Sequence, residues 1–142
     1  MTRSLLAGIV HALILFGAGF ALGVLRVLLL APHVGETPVV LAELPIMLAL
    51  SVVSARWTVA RFDAPPALVP RLAMSAAAFA LLMAGDLWVS TALMGNTLGR
   101  HLARYGEVIP LVGLVAQLAA CAMPALLLLR RRRGPPHSLN GM

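Results

Sequence analysis

A chain of 142 residues that is 61% hydrophobic and only 11% charged, with a mean hydropathy of +0.95, does not have the composition of a soluble globular domain. Its formal charge of +6 falls mostly between long apolar stretches, which excludes a disordered chain and gives no reason to expect a nucleic-acid partner. The lone cysteine, Cys121, excludes an intrachain disulfide.

A bilayer core about 30 Å thick is crossed by roughly 20 helical residues. Windows of that length lie at residues 5–31, 38–57, 72–94 and 108–129. They predict an all-α integral membrane protein, a four-transmembrane-helix antiparallel bundle forming a single domain over residues 1–133. Residues 134–142, beginning Gly134-Pro135-Pro136-His137, offer no packable face and predict a disordered cytoplasmic tail.

The first window follows Arg3 as a secretory leader would, but its length and the absence of a polar region behind it predict a retained helix. It carries Gly8, Ala12, Gly17, Gly19 and Gly23, and Gly19-xxx-Gly23 predicts a close-packing face, turned either into the bundle or towards another subunit. His11 is expected to form an interhelical or interfacial hydrogen bond. Residues 31–38 predict a tight loop in which Thr37 caps the second helix and Pro38 sits in its first turn. Pro45 lies inside that helix, and Trp57 marks its end as an interfacial anchor.

Residues 62–70, with Pro65, Pro66 and Pro70, predict a stiff connection to the third helix, which ends at Gly95-Asn96-Thr97-Leu98-Gly99. Tyr105 is a second expected interfacial anchor. In the fourth helix Pro124 removes a backbone hydrogen bond, so a neighbour has to satisfy the freed carbonyl.

Arginine placement predicts orientation. Arg3, Arg56, Arg61, Arg71 and Arg130, Arg131, Arg132 and Arg133 fall on one side, and only Arg100 and Arg104 on the other. The positive-inside rule then places both termini in the cytoplasm of a multi-pass protein in a bacterial inner (plasma) membrane.

Ionisable groups within the spans carry whatever functional signal there is, because each costs about 2.5–3.5 kcal/mol at the bilayer centre on insertion scales. Arg26, Glu43 and Asp86 fall in the same leaflet under this topology and form the candidate polar cluster, with His33, Arg100, His101 and Arg104 as an outer rim. Arg26 and Glu43 flank the first loop at comparable depth, which makes a salt bridge natural. The cluster serves either to hold the bundle or to bind an anionic group or relay protons.

His11 and His101 are on opposite sides and cannot share a haem or metal ion, and no zinc or iron spacing is present, so no cofactor or metal is expected. No catalytic motif is found. Gly19-Phe20-Ala21-Leu22-Gly23-Val24-Leu25-Arg26 resembles the glycine-rich first helix of the small four-helix fluoride channels. Their asparagine in the second helix and their Thr-Thr-Phe-Ser element in the third have no counterpart here, so no site is carried over.

These features lead to an accessory or interaction subunit whose partners are the lipid bilayer and a second copy or another membrane protein. The alternatives are a proton or small-anion transporter using Glu43 and Asp86, with Arg26 as counter-charge, and a membrane-embedded lipid-modifying enzyme.

Overall fold

The computed structural model describes residues 1–133, so the expected tail at 134–142 lies outside the described residues. Its helices are α1 (Thr2–Leu25), α2 (Ala31–Val34), α3 (Glu36–Arg61), α4 (Leu68–Trp88), α5 (Leu98–Ala103) and α6 (Val108–Arg133). A π-helical turn over Arg26–Leu30 prolongs α1 and another over Val89–Leu93 prolongs α4. The resulting spans Thr2–Leu30, Thr37–Arg61, Leu68–Leu93 and Val108–Arg131 are each long and apolar enough to cross a membrane. The protein is a multi-pass, all-α four-helix bundle.

Three of the long helices start in the same way. Pro38, Pro70 and Pro110 are each the third residue of α3, α4 and α6, where a missing N–H removes no intrahelical bond. Thr37 is not the cap of α3: the helix begins one residue earlier, at Glu36, and Gly35 precedes it with φ +84. Residues 31–34 wind into the single turn of α2, so the positive φ at Gly35 alone breaks the chain between the first two spans.

The connection between α3 and α4 is held by Arg71. Its Nε donates to the Pro65 carbonyl at 3.2 Å and its Nη2 to the Ala64 carbonyl at 3.1 Å, which leaves the residue only 6% exposed. Asp63, at φ 47, turns the chain and pairs with Arg3 at 3.2 Å across open solvent, an arrangement that contributes little.

The four spans form a square in which α1 and α6 each pack against both α3 and α4. Consecutive spans run antiparallel, yet α3 and α4 sit on a diagonal, so α1 has a parallel neighbour in α4. Gly8 lies against the Met74 backbone and, further along both helices, Phe16 lies on Gly85. Against α3 the order reverses: His11 meets Ser54, Gly19 faces Met47, and Arg26 meets Glu43.

Gly19 therefore turns into the bundle, whereas nothing lies within 4 Å of a side chain placed at Gly23. The centre is filled by Ala12, Leu15, Ala78, Leu82, Ala120 and Cys121, flanked by Phe16, Met47, Leu50 and Phe79. Leu13, Val53, Val69 and Val115 point outward and are more than half exposed, as lipid contact requires.

Small residues replace the missing hydrophobic drive between helices in lipid, and Gly8 is the tightest such place. A Cβ there would stand 2.5 Å from the Met74 carbonyl oxygen, while one at Gly17 would meet nothing within 4 Å. Gly8→Ala is expected to destabilise the bundle by about 1–3 kcal/mol, and Gly17→Ala to be neutral or slightly stabilising. Thermal unfolding in detergent micelles checks both; equal midpoints would contradict the close α1–α4 contact.

Candidate functional site

Polar groups gather at three places in the bundle. The most deeply enclosed is His11, which is 0% exposed. Its Nε2 stands 3.2 Å from the Ala120 carbonyl oxygen and its Nδ1 2.8 Å from Ser54 Oγ. A carbonyl can only accept, so Nε2 carries the proton, and in the neutral ring Nδ1 accepts from the Ser54 hydroxyl.

The acceptor has a specific origin. Ala120 is four residues before Pro124, whose nitrogen carries no hydrogen, so the helix cannot satisfy that carbonyl itself. His11 supplies the missing donor from the diagonally opposite helix. One ring thereby ties α1, α3 and α6. Around it α3 turns a polar row inward: Ser51 and Thr58 are fully buried and return their hydroxyls to Leu48 and to Ser54 on their own helix.

The second place is at the end of the bundle opposite the start of α1 and the end of α6. Arg26, the first residue of the π-helical turn, donates through Nη1 to Glu43 Oε2 at 3.0 Å, with side chains 27% and 16% exposed. The contact uses one bond where a guanidinium and a carboxylate could share two. Arg26 Nε and Glu43 Oε1 remain buried without a hydrogen-bond partner, an adjacent donor and acceptor suited to a bridging water.

The third place involves Asp86, which the structure does not bring to Arg26 and Glu43. Its Oδ2 accepts from Tyr105 Oη at 2.9 Å and lies 3.8 Å from His101 Nε2. Tyr105 Oη is also 3.4 Å from His101 Nε2, and the two rings meet edge to face at 5.4 Å. The phenol gives its proton to the carboxylate, so its oxygen is free to accept from the imidazole. His101 Nδ1 is buried and without a partner.

The local sequence explains this geometry. Thr97 caps α5 by accepting from the Arg100 N–H at 3.3 Å, and Asn96 ties back to Ser90 through its backbone N–H at 3.0 Å and its side chain at 3.3 Å. The helix after Leu93 is thus folded against the second π-helical turn, leaving Leu98 and Leu102 exposed and His101 inside.

The single cluster of Arg26, Glu43 and Asp86 thus separates into a pair and a triad, and of the expected rim His101 joins the triad at Asp86. His33 donates through Nδ1 to the Leu29 carbonyl of its own chain segment at 2.8 Å, Arg100 is exposed, Arg104 is half-buried, and His101 is buried as a member of the triad. Tyr105, read from the sequence as an interfacial anchor, is the central member of the triad. Among the described residues no group of three or more His, Cys, Asp or Glu side chains could hold a metal ion. An open groove of about 330 Å³ between α1 and α4 is lined by Ala12, Leu13, Phe16, Leu81, Ala84 and Gly85, a lining without charged or hydrogen-bonding side chains. No protein-family model matches the chain, and searches of curated proteins and of solved structures find no match.

Two measurements probe these contacts. Replacing His11 by Leu strands the Ala120 carbonyl, at a cost of about 1–3 kcal/mol, whereas Pro124→Ala returns an N–H to that carbonyl within α6. The His11→Leu penalty is therefore expected to shrink in the Pro124→Ala background, giving a coupling of about 0.5–3 kcal/mol in a double-mutant cycle; additive penalties would disprove the link.

Tyr105 is the chain's one tyrosine, so its phenolate absorbance can be titrated directly. Burial, then the hydrogen bond to Asp86 and its negative charge, push the phenol up to about 12 from the usual 10.0, with Arg104 opposing. The unfolded chain ionises first, so this stabilisation is complete below pH 10 and is lost as pH rises through about 12. Asp86→Asn is expected to lower the midpoint part of the way; an unchanged midpoint would show that Asp86 does not act on the phenol.

Proposed function

We propose that this protein is an accessory or interaction subunit of the bacterial inner membrane, with both termini in the cytoplasm and no catalytic centre of its own. The observation that carries the reading is how five ionisable groups, His11, Arg26, Glu43, Arg71 and Asp86, are used. Each ties one element to another: His11 joins α1 to α3 and α6, Arg26 joins the end of the first span to α3 through Glu43, Arg71 holds the α3–α4 connection, and Asp86 holds the segment after α5. Groups committed in this way fix a shape. The orientation rests on the exposed Arg3, Arg56, Arg61, Arg130 and Arg131 at one end, against Arg100 as the exposed arginine at the other.

A second reading has one observation in its favour. Asp86, Tyr105 and His101 form a continuous chain of donors and acceptors that ends in the unpartnered Nδ1 of His101, and such a chain suits a proton relay in a transporter.

Reconstitution and native-membrane fractionation distinguish the two. The accessory reading expects proteoliposomes to show no proton or anion flux above empty vesicles. It also expects the protein, extracted from its native membrane in mild detergent, to migrate in an assembly larger than its own 14.9 kDa, with Asp86→Asn folded and still in that assembly. Flux that Asp86→Asn abolishes at unchanged thermal stability would overturn it in favour of the transporter.

A further inference from the structure

The arginine-rich end contains a charge that no described residue balances. Arg71 is 6% exposed, and both groups that accept from it, the Ala64 and Pro65 carbonyls, are neutral. No carboxylate among the described residues pairs with it. Of the five acidic residues in the sequence, Asp63 is the one at this end, and its carboxylate is taken by Arg3.

Two further sources of positive potential converge on Arg71. Arg131, exposed near the end of α6, stands at the same end of the helix that packs against α4 and adds to the positive potential there. Arg71 also lies just inside the N-terminus of α4, where the helix dipole disfavours a cation. Ala67 provides no side-chain cap there, so the Leu68 and Val69 N–H groups have no acceptor within the helix.

Two hydroxyls at this end are also left without a partner. One turn deeper on the same face of α4, Ser75 is 9% exposed and its hydroxyl has no partner; Ser4 of α1, also at this end, is 0% exposed and likewise unpartnered. In a low-dielectric setting a guanidinium without a counter-charge is costly, and a like-charged neighbour makes it more so. The chemistry that answers an uncompensated guanidinium at a helix N-terminus is an anionic phosphate group.

We propose that the phosphate of an anionic phospholipid headgroup binds between Arg71 and Arg131 at the opening turn of α4. The lipid source is set by position: the site is at the end of two membrane spans, Leu68–Leu93 and Val108–Arg131, at the level where headgroup phosphates lie. Arg71 is already held by two carbonyls, so ordering it for binding carries little entropic cost, and Arg131 closes on the phosphate from the neighbouring helix. The site does not depend on the accessory reading.

The test is thermal unfolding of the full-length purified protein in detergent, with added phosphatidylglycerol, phosphatidylcholine of the same acyl chains, or inorganic phosphate. Phosphatidylglycerol is expected to raise the midpoint by a few degrees, and the other two to leave it unchanged. Arg131→Gln changes an exposed side chain and spares the fold; it is expected to lose most of the phosphatidylglycerol shift, whereas Arg56→Gln, at the same end on α3, keeps it. Equal shifts with the two lipids, a full shift in Arg131→Gln, or equal loss in Arg56→Gln would overturn the site. An equal shift with inorganic phosphate would overturn its assignment to lipid.

Discussion

A backbone carbonyl without a donor is among the most costly groups that a membrane helix can expose, since hydrocarbon offers no replacement for the lost bond. Pro124 creates such a carbonyl at Ala120, inside the bundle. The answer to it is a single imidazole N–H from His11, delivered across the diagonal of the square. This requirement sets much of the remaining geometry. The ring has to be enclosed, its tautomer is set by the acceptor, and its other nitrogen then requires the hydroxyl that Ser54 provides. Ala12, Ala120 and Cys121 in the core are small, so the helices come near enough for one side chain to reach two neighbours.

The polar contacts towards the opposite end obey a different logic. There two π-helical turns widen the spans just before they leave the apolar region, one beginning at Arg26 and one enclosing Ser90. A π turn adds a residue to a helical turn and so rotates the residues beyond it. Asn96 then binds back to Ser90, and the short α5 carries His101 inward while Leu98 and Leu102 stay outside. Asp86 gains its partners from this folded-back segment. Arg26 gains Glu43 from the adjacent helix, so the two acids of the spans find their partners separately.

Both ends therefore differ from the middle in what they leave open. Around His11 each ring nitrogen has a partner, whereas Arg26 Nε, Glu43 Oε1 and His101 Nδ1 at one end are buried without one, and Arg71 at the other has no carboxylate partner among the described residues.

The sequence alone determined the all-α character, the four spans and their order, because the length of an apolar run must match the thickness of hydrocarbon. It also made the pairing of Arg26 with Glu43 legible, since two residues flanking one short turn have comparable depths whatever the rest of the chain does. Three things were decided only by the tertiary structure. Which helices are neighbours depends on packing of small residues such as Gly8 against Met74, and this put α3 and α4 on a diagonal. The partners of Asp86 come from a segment folded back by a π-helical turn and an asparagine, which no helical period announces. The partnership of His11 with the Pro124 gap had a visible signal, a buried donor and a freed acceptor in different spans, but joining them required knowing that α1 and α6 face each other across the centre. Depth is encoded along one chain; adjacency arises only when separate chain segments pack.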